Sequence, residues 1–306
     1  MIYTIGETVL DIILQEMTAR ATKPGGSALN TAVSLAELGN NVSFISELGT
    51  DKIGDYIINF LHSKNINTSH IVKHAHNTSL AIAHLDTNND AQYEFYKPQP
   101  KSVYYPEIPI QQQDIVLFSS TYAIANRNRT ALLRILKSAQ DKNAIRIYDP
   151  NIRTQHNKKS NEYKRITENF TIANIVRASD EDCKSIFNTT TPHKVYSYLR
   201  KYNVSIFIMT RNKHKVDIIT PQYSLQYPVP DIQPISTIGA GDTFNAGITH
   251  CLHHITNKYT ETSISTIPQT FWDNAIPFAI KCATTVCMSY ENYLTKKDNL
   301  KPANQA

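Results

Sequence analysis

Short apolar runs that alternate with segments of helical period constrain this chain more than any other feature. The runs are Ile2–Ile5, Val42–Ser46, Ile115–Phe118, Ile145–Asp149 and Ile206–Thr210. Between them, i, i+3, i+4 spacing predicts helices over Ser27–Leu38, Asp55–Ser63 and Arg129–Ala139. Strand–helix–strand alternation of this kind argues for a largely parallel sheet covered by helices on both faces, an α/β fold. The interval Ala81–Tyr105 breaks the rhythm. Its first part reads as strand, Asn/Asp turn and second strand, and its second part is punctuated by prolines. It is expected to form a small β excursion outside the main sheet. From Gly241 onward the pattern is mainly helical.

A length of 306 residues suffices for one large domain or two unequal ones. With 41% hydrophobic and 19% charged residues, the chain has the make-up of an ordinary globular protein. The net charge of +5 is spread out, and the one dense run, Asn157–Arg165, holds four basic residues and reads as a solvated helix start. A nucleic-acid partner is not expected from so weak a patch. The N-terminus has no basic leader and carries Glu7 and Asp11 within its apolar run, and no stretch is long enough to span a membrane. Cys183, Cys251, Cys282 and Cys287 show no paired or metal-ligand spacing. Buried thiols in a reducing, cytoplasmic setting are the expectation.

The nine glycines are distributed unevenly. Six fall between Gly6 and Gly54, three in "TIGAGDTFNAG", and none between Gly54 and Gly239. Glycine is used where the backbone takes positive φ or where another group comes close, so two distant stretches are candidate ligand sites. In the second, Gly239-Ala240-Gly241 precedes an apolar-periodic segment, which places it at a helix entry. The open N–H groups and positive dipole end there form an anion site. Asp242 is the oddity, because a carboxylate repels a phosphate. It could accept a proton from a substrate hydroxyl that attacks phosphorus, or merely complement the helix dipole; local sequence leaves both open.

The N-terminal cluster bears on that choice. "KPGGSALNTAVSLAELG" couples Gly25 and Gly26 to a helix with Asn30 in its first turn and Gly39 beyond its end. Together with Asp11, Asn30 offers the acceptors and donors that hold vicinal hydroxyls of a sugar. "GTDKIGD" has the glycine spacing of a phosphate loop without its Lys and Ser/Thr, and no dinucleotide fingerprint follows a strand.

From about Ile2 to Tyr290 the chain resembles the PfkB/ribokinase family of carbohydrate kinases, most closely its fructokinase branch. The resemblance rests on "GETVLD", "GGSALNTAVSLAELG", "GTDKIG", "DPNIR", "VRASDED" and "TIGAGDTFNAG", in that order. It implies a ribokinase-like, doubly wound and mostly parallel sheet with a small β-sheet lid. The kinase domain would span residues 1–295, its lid formed mainly by about 78–105, before a polar tail over 296–306. It implies Mg-ATP as phosphoryl donor and a sugar hydroxymethyl as acceptor. Asp11, Gly25, Gly26 and Asn30 would hold the sugar, with Arg153 near the phosphoryl path. Asp242 would be the base, and the backbone of Gly239, Ala240 and Gly241 the anion hole. Ser179, Thr210, Asn212, Thr237, Gly239 and Gly241 would face the nucleotide, and Asp182 would reach Mg2+ through water.

Four departures from the family pattern stand out. Ser236 occupies the place of an aspartate that helps bind a monovalent cation, which puts potassium activation in doubt. "KCATTVCMSYENY" lacks the small turn that completes that cation loop. Asn212 replaces a glycine at a nucleotide-side turn, and Ser179 with Asp182 replaces a longer Asn and Glu pair. The leading expectation is an ATP-dependent kinase for the primary hydroxyl of a ketose. Alternatives are a related kinase for 2-keto-3-deoxygluconate, ribose or a nucleoside, and a sugar- or nucleotide-binding protein without turnover. Lids of such proteins can pair between subunits, so a homodimer is compatible with the sequence.

Overall fold

The computed structural model describes residues 1–85, 91–97, 100–152, 154–256, 258–259, 263–296 and 300. Two sheets organise it. The larger has nine strands in the order β13 (Ser224–Pro228), β12 (Lys215–Ile219), β11 (Ile206–Arg211), β10 (Ile175–Ser179), β9 (Ile145–Asp149), β8 (Ile115–Ser119), β1 (Ile2–Ile5), β4 (Val42–Gly49) and β5 (Ile71–His74). From β11 to β5 all neighbours are parallel; β12 and β13 add an antiparallel edge. The smaller sheet has the order β3 (Thr18–Gly25), β2 (Val9–Gln15), β6 (Leu80–Leu85) and β7 (Ala91–Tyr96). The doubly wound sheet with its small β lid is therefore present as expected.

The strand residues alternate between two apolar layers, as a sheet buried on both faces requires. Ile2, Ile175, Ile206 and Ile208 pack with α1 (Ser27–Glu37), α2 (Lys52–Ser63), α7 (Ala240–His253) and α8 (Gln269–Cys287). Tyr3, Ile5, Val176, Ala178, Phe207 and Met209 face the opposite layer. That layer contains α3 (Arg129–Asp141), α4 (Asn161–Ile172), α5 (Asp180–Phe187) and α6 (Pro192–Leu199). The basic run Asn157–Arg165 does open a helix: Ser160 caps α4 by accepting the Tyr163 N–H. Gly247 lets α7 press on α8, since a Cβ there would stand 2.7 Å from Ala279 Cα. The four cysteines are buried free thiols. Among the described residues no helix is long and apolar enough to cross a membrane.

The lid is assembled differently from its sequence signal. The hairpin of β6 and β7 supplies two of its four strands, and β2 and β3 supply the others. The N-terminal pair leaves the main sheet directly after β1 and returns at Gly25. It joins β6 by parallel pairing, Asp11 opposite Ala81. Alternating apolar and polar residues over Thr18–Gly25 are too few to announce a strand, so its pairing with β2 decides the matter. The Asn/Asp turn between β6 and β7 lies outside the described residues, as do Arg153 and most of the 296–306 tail.

Candidate active site

In the strand order, β1 is flanked on one side by β4 and on the other by β8, so chain direction across the sheet reverses there. Crevices at such a switch point, beyond the carboxyl ends of the strands, are where open α/β sheets bind ligands. Ser119, Asp149, Ser179 and Thr210 end or nearly end β8, β9, β10 and β11 at this edge. The N-termini of α1 and α7 arrive at the same place. Neither has a side-chain cap: their N-cap residues are Gly26 at φ 114° and Gly239 at φ 80°. Two positive helix ends with exposed N–H groups thus converge.

Asp242 lies in the first turn of α7, buried, with its carboxylate on the start of α1. Its Oδ1 accepts from Ser27 Oγ at 2.6 Å and its Oδ2 from Asn30 Nδ2 at 2.8 Å. Thr31 Oγ1 donates to its carbonyl at 3.1 Å. Two side chains of α1 thereby fix the carboxylate, and a third holds the backbone behind it. Asn30 keeps its Oδ1 buried without a hydrogen-bond partner among the described residues, an acceptor open to an incoming hydroxyl.

Asp11, in β2, faces the same space. A Cβ on Gly25 would overlap its Oδ2, and a Cβ on Gly26 would overlap the Glu7 carbonyl, so both glycines are demanded by close approach. Asn292 donates from Nδ2 to Asp11 Oδ2 at 3.1 Å. Burial first, then the charge of Asp242, raises the Asp11 carboxyl to about 7, against a smaller opposing pull from Lys23. The structure therefore brings Asp11, Gly25, Gly26, Asn30 and Asp242 into one cluster.

The glycine loop before α7 opens onto the helix without a side-chain cap. The Ala240 N–H donates to the Thr237 carbonyl at 3.3 Å, and those of Gly241 and Asp242 follow on the open turn. Gly239 packs so closely on the Asn292 carbonyl that no side chain fits. The Ser236 N–H donates to the Cys287 carbonyl at 3.2 Å, and its hydroxyl accepts from the Ile238 N–H at 3.2 Å. Ser236 is thus absorbed into the loop itself.

The nucleotide-side residues behave unequally. Thr210 accepts at Oγ1 from Arg177 Nη2 at 2.7 Å. Asn212 takes the left-handed conformation at φ 45° between β11 and β12, a geometry asparagine tolerates without glycine. Ser179 and Asp182 close a capping box on α5. Asp182 is buried; its Oδ2 accepts from the Ser179 N–H and Oγ, and its Oδ1 from the Ile152 N–H at 2.6 Å. Its carboxylate clasps the segment after β9 to α5.

Three participants went unread in the sequence. Arg177 interrupts the apolar run of β10, Asn292 sits in the C-terminal segment, and an apolar cleft of about 260 Å³ opens between β13 and α8. Tyr227, Pro228, Pro277, Ile280 and Thr284 line that cleft. Thr284 stands one turn before Cys287, whose carbonyl receives the Ile235 and Ser236 N–H groups ahead of the glycine loop. A charged residue inside "IVRAS" was a usable signal for Arg177; nothing local marked the other two.

Residues 1–294 match the pfkB family carbohydrate kinases. A fructokinase of Vibrio alginolyticus is 23% identical over 256 residues, covering 82% of this chain and 83% of its own. A fructokinase of Salmonella typhimurium is 24% identical over 253 residues, covering 81% and 82%. Among solved structures, the ATP-bound fructokinase from Xylella fastidiosa superposes with a TM-score of 0.81 at 20% identity, over 97% of this chain and 96% of that one. Aminoimidazole riboside kinase from Salmonella enterica, complexed with aminoimidazole riboside and an ATP analogue, gives 0.81 at 20% identity, over 95% and 94%. These likenesses share the fold, and the family match spans nearly the whole length: the chain belongs to the PfkB family of carbohydrate kinases.

Proposed function

We propose that the protein transfers the γ-phosphoryl group of Mg-ATP to a primary hydroxyl of a ketose of the fructose type, with Asp242 as base. One observation carries this reading: Asp242 belongs at once to the open first turn of α7 and, through Asn30, to the polar cluster around Asp11. Asp11 and Asn30 would hold sugar hydroxyls, aligning one with Asp242. That oxygen loses its proton to the Asp242 carboxylate and attacks phosphorus in line, while ADP leaves. The N–H groups after Gly239 would stabilise the phosphoryl oxygens. The apolar cleft between β13 and α8 would take the nucleobase.

Magnesium enters with the nucleotide as part of the substrate. Among the described residues no three His, Cys, Asp or Glu side chains gather to hold an ion alone. The fructokinase names of the relatives support a ketose acceptor. The equal superposition on aminoimidazole riboside kinase makes a riboside the second acceptor to test.

An ADP-release assay with Mg-ATP over fructose, ribose, 2-keto-3-deoxygluconate and aminoimidazole riboside decides between these. Fructose is expected to give the highest kcat/KM; a preference for another acceptor overturns the ketose assignment. Since Ser236 is tied into its loop, replacing potassium by sodium should change the rate less than about twofold.

A further inference from the structure

We infer that Arg177 is a phosphate ligand of the kinase site, with its guanidinium completing the anion seat at the N-terminus of α7. Nη1 donates to Asp149 Oδ2 at 3.0 Å and Nη2 to Thr210 Oγ1 at 2.7 Å, so two neighbouring strands hold the fork. The Nη1–Nη2 edge of the group faces the glycine loop. A Cβ on Gly241 would stand 3.0 Å from Nη1 and 3.2 Å from Nη2, and the Phe244 ring lies 5.6 Å beneath. A side chain at 241 would crowd the arginine.

Two features of this placement are costly unless an anion binds. A cation beside a helix N-terminus meets the positive end of the dipole, the unfavourable sign. Further, a guanidinium has five N–H donors, and Nε is buried without a partner among the described residues. Asp149 offsets part of the charge, yet that carboxylate is itself strained electrostatically. It is fully buried, which raises its pKa against the pull of Arg177, and it also accepts from Asn245 Nδ2 at 2.5 Å. A phosphate seated on the Gly241 turn neutralises the dipole end and gives charge-assisted partners to the Nη hydrogens that Asp149 and Thr210 leave free. The inference rests on the kinase reading of the glycine loop and is independent of the acceptor and of Asp242 as base.

The test measures binding of ADP and of adenosine by calorimetry, which needs no acceptor sugar. Arg177→Gln is expected to weaken ADP roughly 10- to 100-fold, the range for a lost charged hydrogen bond, and to leave adenosine within about twofold. Fructose affinity and the unfolding midpoint supply the folding control. Equal loss of ADP and adenosine, or ADP within about threefold of the parent, overturns the assignment. Should Arg177→Gln fail to fold, Arg177→Lys takes its place. It keeps the charge and loses the fork, and should weaken ADP about 5- to 10-fold with adenosine unchanged; unchanged ADP overturns the inference. If the parent protein binds neither ADP nor ATP, it is the nucleotide reading of the loop that fails.

Discussion

At the scale of single residues, the site is a problem of two carboxylates in one buried space. Asp242 has three α1 side chains to hold it, whereas Asp11 has Asn292 and a distant Lys23. Asp11 therefore carries the electrostatic cost. Its folded pKa near 7 stands above the model-peptide value of about 3.9. The folded protein then binds a proton that the unfolded chain has released. Stability from this group is complete below about pH 4 and is lost as the pH rises through 7. The unfolding midpoint of the parent should fall between pH 5.5 and 8 by more than that of Asp11→Asn, measured by thermal melts. Parallel pH profiles for the two proteins would contradict the shift. Sugar binding should run the opposite way. An ionised Asp11 accepts two hydroxyls, so fructose affinity should rise through pH 7, and Asp11→Asn should bind sugar weakly at every pH.

At the scale of elements, two uncapped helices frame the candidate site. The Gly239 backbone is left-handed, and an alanine there would cost about 1–2 kcal/mol in conformation alone, before its clash with the Asn292 carbonyl. Gly239→Ala is expected to lower the unfolding midpoint by several degrees and to raise KM for ATP at least tenfold. An unshifted KM would show that the loop does not seat the phosphates. Much of this was legible in the sequence, for a stated reason. A glycine needed for positive φ or close approach leaves a mark at its own position, as at Gly25, Gly26 and Gly239. Hence the helix starts of α1 and α7 were read to within a residue or two. Contacts that join distant segments leave no such mark. Asn292 reaches Asp11 across 281 positions, and Arg177 reads as an interruption in a strand until β9 and β11 flank it. The lid's N-terminal half went unread for the same reason: β2 and β3 are strands because they pair with each other and with β6.

At the scale of the molecule, the topology explains why these residues meet. The switch at β1 opens a crevice that parallel strands end on, and the lid's first two strands leave from its rim. The C-terminal segment closes the far side: Lys23 of the lid pairs with Glu291 at 3.1 Å, and the Leu294 N–H donates to Ser34 Oγ on α1. The small sheet and α1 are thus both tied to the C-terminal segment. The central claim is that a single carboxylate joins the sugar cluster to the anion seat. Its most direct test is the turnover of Asp242→Asn at saturating fructose and Mg-ATP, with fructose affinity measured alongside. The account predicts a fall in kcat of roughly 10²- to 10⁴-fold, with fructose affinity changed only a few-fold. A kcat within about threefold of the parent would contradict it.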